Sequence, residues 1–443
     1  MVDKFFGLRE KQTTVKIEFV AGVTTFLTMA YIIFVNPNIL SDKTGMDKDA
    51  LIAVTCIVTA IATIIVGVFA KAPIAMAPGM GLNAFFAYLV ASGKMDWQTA
   101  LGVVFLSGLL FLILTLLGLR KRIVEAIPAS LISAIAVGIG LFITFIGLVK
   151  LGVVVGDEHT LVKAGTIKTT VLIGLLGLLI MLFFEMKKIK GGLVVGILAA
   201  TVLAVIFDEK TAMPQKFISV HLNIEPISFQ LKILGALKWG FFGSIFTLMF
   251  MDMFDSVGTL VACCHQANMV DHKGRIKGLD RLLSIDAIAT MVGGLLGTST
   301  TTSYIESAAG IEQGGRSGLA SIVTGVLFLL AVLFVPIVEI VPGYPTAPAL
   351  IMVGLFMMKE VRRIVFANLE EAFPAFIIMV MIALSYSIST GLAFGFVSFT
   401  LIKVVSGKAK DVKPAMWIIA ILSILFLTLD QLPTIVEHLK SLM

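Results

Sequence analysis

Charge is scarce in this chain. Asp, Glu, Lys and Arg make up 14% of its 443 residues, against about a quarter in soluble domains. With 58% hydrophobic residues and a mean hydropathy of +1.03, a soluble globular protein is excluded and a polytopic membrane protein is indicated. Histidine is scarcer still. His159, His221, His265, His272 and His438 all fall in loops or at the ends of apolar runs. A proton relay through the membrane would therefore have to run on carboxylates, and an intramembrane hydrolase lacks a histidine to pair with serine or a metal. No zinc or haem spacing occurs, so no cofactor is expected. The three cysteines, Cys56, Cys263 and Cys264, lie in or beside apolar stretches and imply no disulfide framework. The N-terminal stretch has no short apolar core followed by a small-residue cleavage site, so no cleaved signal peptide is expected. The net charge of +6 does not point to nucleic acid, because the basic residues sit in short loops between apolar runs.

A membrane-spanning helix needs about 20 largely apolar residues. Apolar runs between charged or Pro/Gly-rich breaks predict spans near 17–37, 50–70, 73–92, 96–118, 123–147, 167–186 and 191–207. A polar connection, 208–238, follows. A second set lies near 239–264, 279–297, 299–315, 317–341, 345–358, 372–388 and 391–406. Seven spans per half is an odd number, so the second half enters the bilayer inverted relative to the first, the architecture of many secondary transporters. The stretch 414–432 is left over, either a fifteenth span or a helix on the cytoplasmic side. Placing the N-terminus inside puts most of the 34 lysines and arginines, and every arginine, in cytoplasmic segments.

The third span of each half breaks the rules of a lipid-facing helix. In AMAPGMGLNAFFAY, Pro78, Gly79 and Gly81 interrupt the helix. In span 10 the run GTSTTTSY, Gly310 and Gly314–Gly315 do the same, and Glu306 and Glu312 lie nearby. Gly and Pro are common in membrane helices singly. Paired interruptions at matching positions point to a binding site, because unwound backbone is tolerated only where it is buried in protein or lines a cavity. A carboxylate such as Glu306 in the hydrocarbon zone costs about 2.5–3.5 kcal/mol on insertion scales unless it faces protein or water. Glu312, nearer the cytoplasmic end, is not expected in the site.

Span 8 carries FMDMFDSVGTL, with Asp252 and Asp255 three apart on one helical face and Thr259 four beyond Asp255. Two buried like charges cannot both ionise cheaply, so one of the pair is expected to hold a proton near neutral pH. Asp286 in span 9 reads most simply as a structural hydrogen-bonding group to a neighbouring helix. Asn83 in span 3 supplies an amide that both donates and accepts, suited to a heterocycle edge. Phe85 and Phe86 beside it offer a stacking face, although packing is the simpler role for any of 32 phenylalanines.

At these residues the chain resembles the AzgA-like purine permeases among the nucleobase–cation symporters. The resemblance rests on TTFLTMAYIIFVNP in span 1, APGMGLNAFFAY in span 3, DMFDSVGTL in span 8, and GTSTTTSYIESAAG with GGRSGLAS in span 10; TAPALIMVG and YSISTGLAFGF match later, so it covers essentially the whole chain. It implies an all-α uracil-permease-like fold, with two inverted seven-span repeats and short extended segments in spans 3 and 10. It also implies a first repeat 1–207 (core 17–118, gate 123–207), the external connection 208–238, a second repeat 239–406 (core 239–341, gate 345–406) and a C-terminal segment 407–443. The dimer contact would lie on the gate domain. By motif, Asp255 and Glu306 would hold the base. Thr259 stands where uracil carriers have a histidine, Asn83 matches the polar residue of span 3, and the backbone at Ala84 and Ile305 would complete edge recognition. The loop CCHQANMVDHKGRIK departs from the pattern.

The expected activity is purine nucleobase uptake by proton symport in an elevator-type mechanism, without enzymatic chemistry. Its partners would be a purine, a proton, the lipid bilayer of the cell membrane and a second copy of the chain, with no nucleic acid. Asp252, Asp255 and Glu306 would carry the proton coupling. Ionised carboxylates favour N–H-rich edges, hence guanine and hypoxanthine over adenine. The alternatives are a same-fold carrier of xanthine, uracil or an anion, and an ion channel. A channel would need repeated rings along a pore, and an anion site would need a cation, for which Arg316 at a cytoplasmic end is the one candidate.

Overall fold

The computed structural model describes residues 2–118, 126–209, 211, 217–218, 223–270, 276 and 278–429. The predicted start of span 5, parts of the 208–238 connection and of the 263–277 loop, and the chain after Leu429 lie outside them, as do His221, His272 and His438.

Span 1 is two helices, α1 (Val15–Met29) and α2 (Ile32–Thr44). Span 2 is α3 (Lys48–Ile65), finished by a wider π-helical turn over Val66–Ala70. Span 3 is strand β1 (Met76–Pro78) followed by α4 (Met80–Ala91). Then come α5 (Trp97–Leu116), α6 (Ala129–Leu151), α7 (Thr169–Met186) and α8 (Gly192–Phe207), with a loop hairpin of β2 (Val154–Asp157) and β3 (Leu161–Ala164) after α6. The second half repeats the plan. It has α9 (Phe242–Gln266), α10 (Leu279–Leu296), strand β4 (Thr301–Ser303) with the short α11 (Ser307–Glu312), α12 (Gly318–Ala331), α13 (Gly343–Met357), α14 (Leu369–Leu384) and α15 (Ile388–Val405). The leftover stretch forms α16 (Pro414–Leu429), packed on α15. Among the described residues eight helices are long and apolar enough to cross a membrane, and three shorter ones are also apolar.

The helix starts follow from local chemistry. Asp47, Asp96 and Ser387 accept backbone N–H bonds from Ala50, Thr99 and Thr390, satisfying donors that the first helical turn leaves free. Span 1 departs from the sequence expectation of one continuous helix, because its backbone tightens at Ala30–Tyr31. There the Ile33 N–H bonds three residues back to Ala30 (3.2 Å), and Pro37, one turn on, has no N–H to return.

Packing pairs the two halves reciprocally. Helix α3 lies on α12 as α10 lies on α5, α1 lies on α12 as α9 lies on α5, and α6 meets α13 across the middle. The closest approach is between the end of span 2 and the start of α12. A Cβ at Gly318 would sit 1.9 Å from the Gly67 carbonyl oxygen, so only glycine permits this spacing.

The two extended segments meet. Strands β1 and β4 pair antiparallel, with Met76 opposite Ser303 and Pro78 opposite Thr301. Backbone groups just outside the ladder are also shared between the halves. Gly79 N donates to Thr300 O (3.0 Å), Tyr304 N to Ala75 O (2.9 Å), and Ala75 N to the Ser307 hydroxyl (3.0 Å). The Thr63 hydroxyl both donates to and accepts from Met76 (3.0 Å each way). Each broken span thus takes its missing hydrogen bonds from the other half and from span 2, as an interior without water requires.

Candidate functional site

The site gathers around this two-stranded crossing. From β4, side chains alternate in direction. Thr302 donates to Asp255 Oδ2 at 3.1 Å, whereas Ser303 donates to Asp286 Oδ1 at 3.3 Å and the Thr301 carbonyl accepts from the Thr290 hydroxyl at 3.0 Å. Thr290 also donates to Asp252 Oδ2 at 2.7 Å. The two span-8 aspartates therefore have different surroundings. Asp252 is fully buried against α10, and Asp255 is exposed although it sits at the middle of a 25-residue helix. A step of three residues leaves the two side chains about 60° apart around the axis, enough to divide them.

The open face of α9 continues from Asp255 through Gly258, Thr259, Ala262 and His265. Thr259 is half-buried, and beside Gly258 nothing lies within 4 Å of where a Cβ would stand. This stripe is polar or small throughout, unlike a lipid-facing surface, and so it borders an aqueous cleft that reaches mid-span.

Glu306, at the start of α11, is half-buried and close enough to Asp255 for their charges to interact. One of its oxygens is fixed: the Tyr31 hydroxyl donates to Oε1 at 2.5 Å, and Tyr31 is fully buried at the break in span 1. With Oε1 held by Tyr31, Oε2 of this half-buried carboxylate is the natural acceptor for a ligand N–H. Tyr304, also buried, donates to the Pro78 carbonyl at 2.5 Å and ties β1 to the start of α11. The sequence reading missed both tyrosines. Their signal was rarity, since the chain has five tyrosines and two stand beside the motifs of spans 1 and 10.

The other expected residues take supporting positions. Asn83 is fully buried, and its Oδ1 accepts from the Ser299 hydroxyl while its Nδ2 has no partner. Ala84 is buried and Ile305 is exposed, with 49% of the residue's surface accessible. Phe85 and Phe86 are buried and serve packing rather than stacking on a ligand. Arg316 is spent on the Ile311 and Gly315 carbonyls at the end of span 10. Among the described residues no group of three His, Cys, Asp or Glu side chains could hold a metal ion.

The sequence pattern of the Permease family (Xan_ur_permease) matches residues 16–394, a range that contains both broken spans and all the acidic groups above. The chain belongs to this family. The permease is similar to the adenine permease AdeP of Escherichia coli K12, with 39% identity covering 96% of this chain and 95% of the relative. It is similar also to the guanine/hypoxanthine permease PbuG of Bacillus subtilis 168, with 40% identity covering 95% and 98%. Among solved structures, the transmembrane domain of the cyanobacterial bicarbonate transporter BicA superposes with a TM-score of 0.65 at 16% identity, covering 84% of the permease and 96% of that domain, and so shares its fold. The permease accordingly has the uracil-permease-like architecture expected from its motifs, and it is a multi-pass membrane transporter rather than an enzyme.

Proposed function

We propose that the permease takes up purine nucleobases, guanine and hypoxanthine ahead of adenine, by proton symport. The observation that carries this reading is the meeting of Asp255, from α9, and Glu306, from the start of α11, beside the β1–β4 crossing, both reachable from the cleft. A purine is flat, neutral and rimmed with N–H donors. Two carboxylates with free acceptor oxygens suit the N1–H of guanine or hypoxanthine, and the same oxygens would face the bare N1 of adenine unpaired, a costly mismatch in a buried site. Relatives named as adenine and guanine/hypoxanthine permeases support the substrate class. The backbone of Ala84 and Ile305, the Asn83 amide and Thr259 would complete the edge.

In the cycle, a proton neutralises one carboxylate of Asp252, Asp255 and Glu306, the base binds, and the core (17–118 and 239–341) slides against the gate (123–207 and 345–406). With the N-terminus cytoplasmic, the open face of α9 leads inward. Lys150 bridges Asp42 at 2.5 Å on the opposite side, which fits an inward-open arrangement. Two copies would join through the gate. Binding energy serves to bias two conformations rather than to make bonds.

Proteoliposome uptake of labelled hypoxanthine tests the proposal, with guanine, adenine, xanthine, uracil and sulfate as competitors. Guanine should compete most strongly, and D255N and E306Q should each abolish saturable uptake. Intact, pH-dependent uptake in both variants, or competition by sulfate alone, would overturn it.

A further inference from the structure

We infer that Lys150 of the gate and Asp42 of the core form an outer latch, and that helix α2 connects this latch to the carboxylate of Glu306. Lys150, near the end of α6, donates to Asp42 Oδ2 at 2.5 Å and to the Asn38 carbonyl at 2.8 Å, both on α2. A second gate element meets the same carboxylate. A Cβ at Gly343, the first residue of α13, would lie 3.8 Å from Asp42 Oδ2, so Asp42 stands beside the helix end that favours an anion. Lys48, at the head of α3 in the core, donates at 2.9 Å to each of the carbonyls of Glu339 and Val341, just before α13. With the N-terminus cytoplasmic, all of these contacts close the outer side. The core–gate ion pair of the inner side, Lys190 with Glu312, is exposed on both partners, and such pairs contribute little. The Lys150 side chain is largely buried, so the outer pair is the stronger tie.

Helix α2 runs from this latch to the site. Tyr31, Val35, Asn38 and Asp42 follow the i, i+4, i+7, i+11 spacing of one helical face, and Tyr31 to Asp42 spans about 16 Å. Tyr31 stands at the N-cap of α2 and donates to Glu306; Val35 and Asn38, between the two ends in sequence, are buried. The break at Ala30–Tyr31 separates α2 from α1, so α2 can tilt as one piece about that end. When the latch opens, α2 leaves the gate and carries the Tyr31 hydroxyl with it. Conversely, a base held by Glu306 fixes Tyr31 and keeps the latch shut. The purine thus binds best to the latched form, and its departure into the cytoplasm frees the latch for the outward return.

The inference rests on the core–gate movement proposed above, and its first readout needs no substrate. The thiol of V35C is labelled by a membrane-impermeant maleimide added outside right-side-out vesicles, and the labelling of Cys56, Cys263 and Cys264 without that substitution is subtracted. V35C alone should react slowly. K150M and D42N should each speed its reaction about tenfold or more, the factor for losing a hydrogen bond between charged groups. K150R keeps the cation and should react as slowly as V35C alone. D42N, at a partly exposed side chain, guards against misfolding of K150M. Saturating guanine should slow the reaction in K150M, and Y31F should cancel that protection, because the base then no longer reaches α2. Labelling of K150M and D42N as slow as that of K150R would overturn the latch. Protection by guanine that survives Y31F unchanged would overturn the link through α2. Absence of guanine and hypoxanthine uptake by wild type would overturn the purine reading instead, and the contrast of K150M with K150R would still judge the latch.

Discussion

The hydrogen bond from Tyr31 to Glu306 offers the sharpest single test of the site. Replacing Tyr31 with phenylalanine removes one oxygen atom and keeps the ring, so the fully buried position stays filled and no cavity is made. What is lost is a donor 2.5 Å from Glu306 Oε1. Hydrogen bonds to a charged partner contribute about 1.5–3 kcal/mol. Because Tyr31 has no exposed surface, water cannot take the place of the hydroxyl, and Glu306 must turn Oε1 towards the cleft to find a donor. That rotation removes Oε2 from its ligand-facing position. If the full interaction is expressed in binding, substrate affinity falls about 10- to 160-fold by the usual conversion of free energy to equilibrium constant. The assay is the KM for labelled guanine and hypoxanthine in proteoliposomes, with thermal stability measured alongside. Y31F should raise KM by at least about tenfold while the thermal midpoint stays close to wild type. A KM within about twofold of wild type would show that Tyr31 does not orient the carboxylate. A large loss of stability would show that the bond is structural instead.

Two further substitutions test the frame that carries the site. In E18A, three backbone N–H groups at the start of α12 lose their acceptor: Arg316 N at 2.8 Å, Ser317 N at 3.1 Å and Ala320 N at 3.2 Å. At about 1 kcal/mol or more for each unsatisfied group, the loss should reach about 3 kcal/mol. E18Q, which retains an acceptor oxygen, should be milder; equal thermal midpoints for E18A and wild type in detergent would refute this. In G318A the new methyl meets the Gly67 carbonyl oxygen at 1.9 Å, so the span 2–α12 contact must open, at about 1–3 kcal/mol or more. A lower midpoint on fluorescence-detected size exclusion is expected, and an unchanged one would mean that the two helices are not in this contact.

The span boundaries were readable in the sequence because a bilayer leaves one solution for a long apolar run: α5, α7, α8 and α10 begin and end within two residues of the predicted limits. The breaks in spans 3 and 10 were equally plain, because proline and glycine mark them. Span 1 hid its break, since Ala30 and Tyr31 carry no such mark and the tightening comes from packing and from Pro37 several residues on. The same limit applies to the acidic groups. Spacing put Asp252 and Asp255 on one side of a helix, and only the packing of α10 and β4 around it decides that one is exposed and the other buried. Asn83 was picked for its amide chemistry, and its oxygen turns out to be held by Ser299 from the opposite half, a contact that local sequence does not encode.

The β1–β4 pairing also bears on how the protein is made. Met76 leaves the ribosome more than two hundred residues ahead of its partner Ser303. Until the second half arrives, the peptide groups of span 3 have no strand to pair with, and hydrocarbon supplies none. The newborn first half must therefore hold that segment at the interface or against water, and the segment can settle at the bilayer's centre only once span 10 has been delivered. The last step of assembly is then the closing of one half upon the other. A chain truncated anywhere before Thr301 would present quality-control proteases with an unpaired backbone in the membrane, however good its helices are.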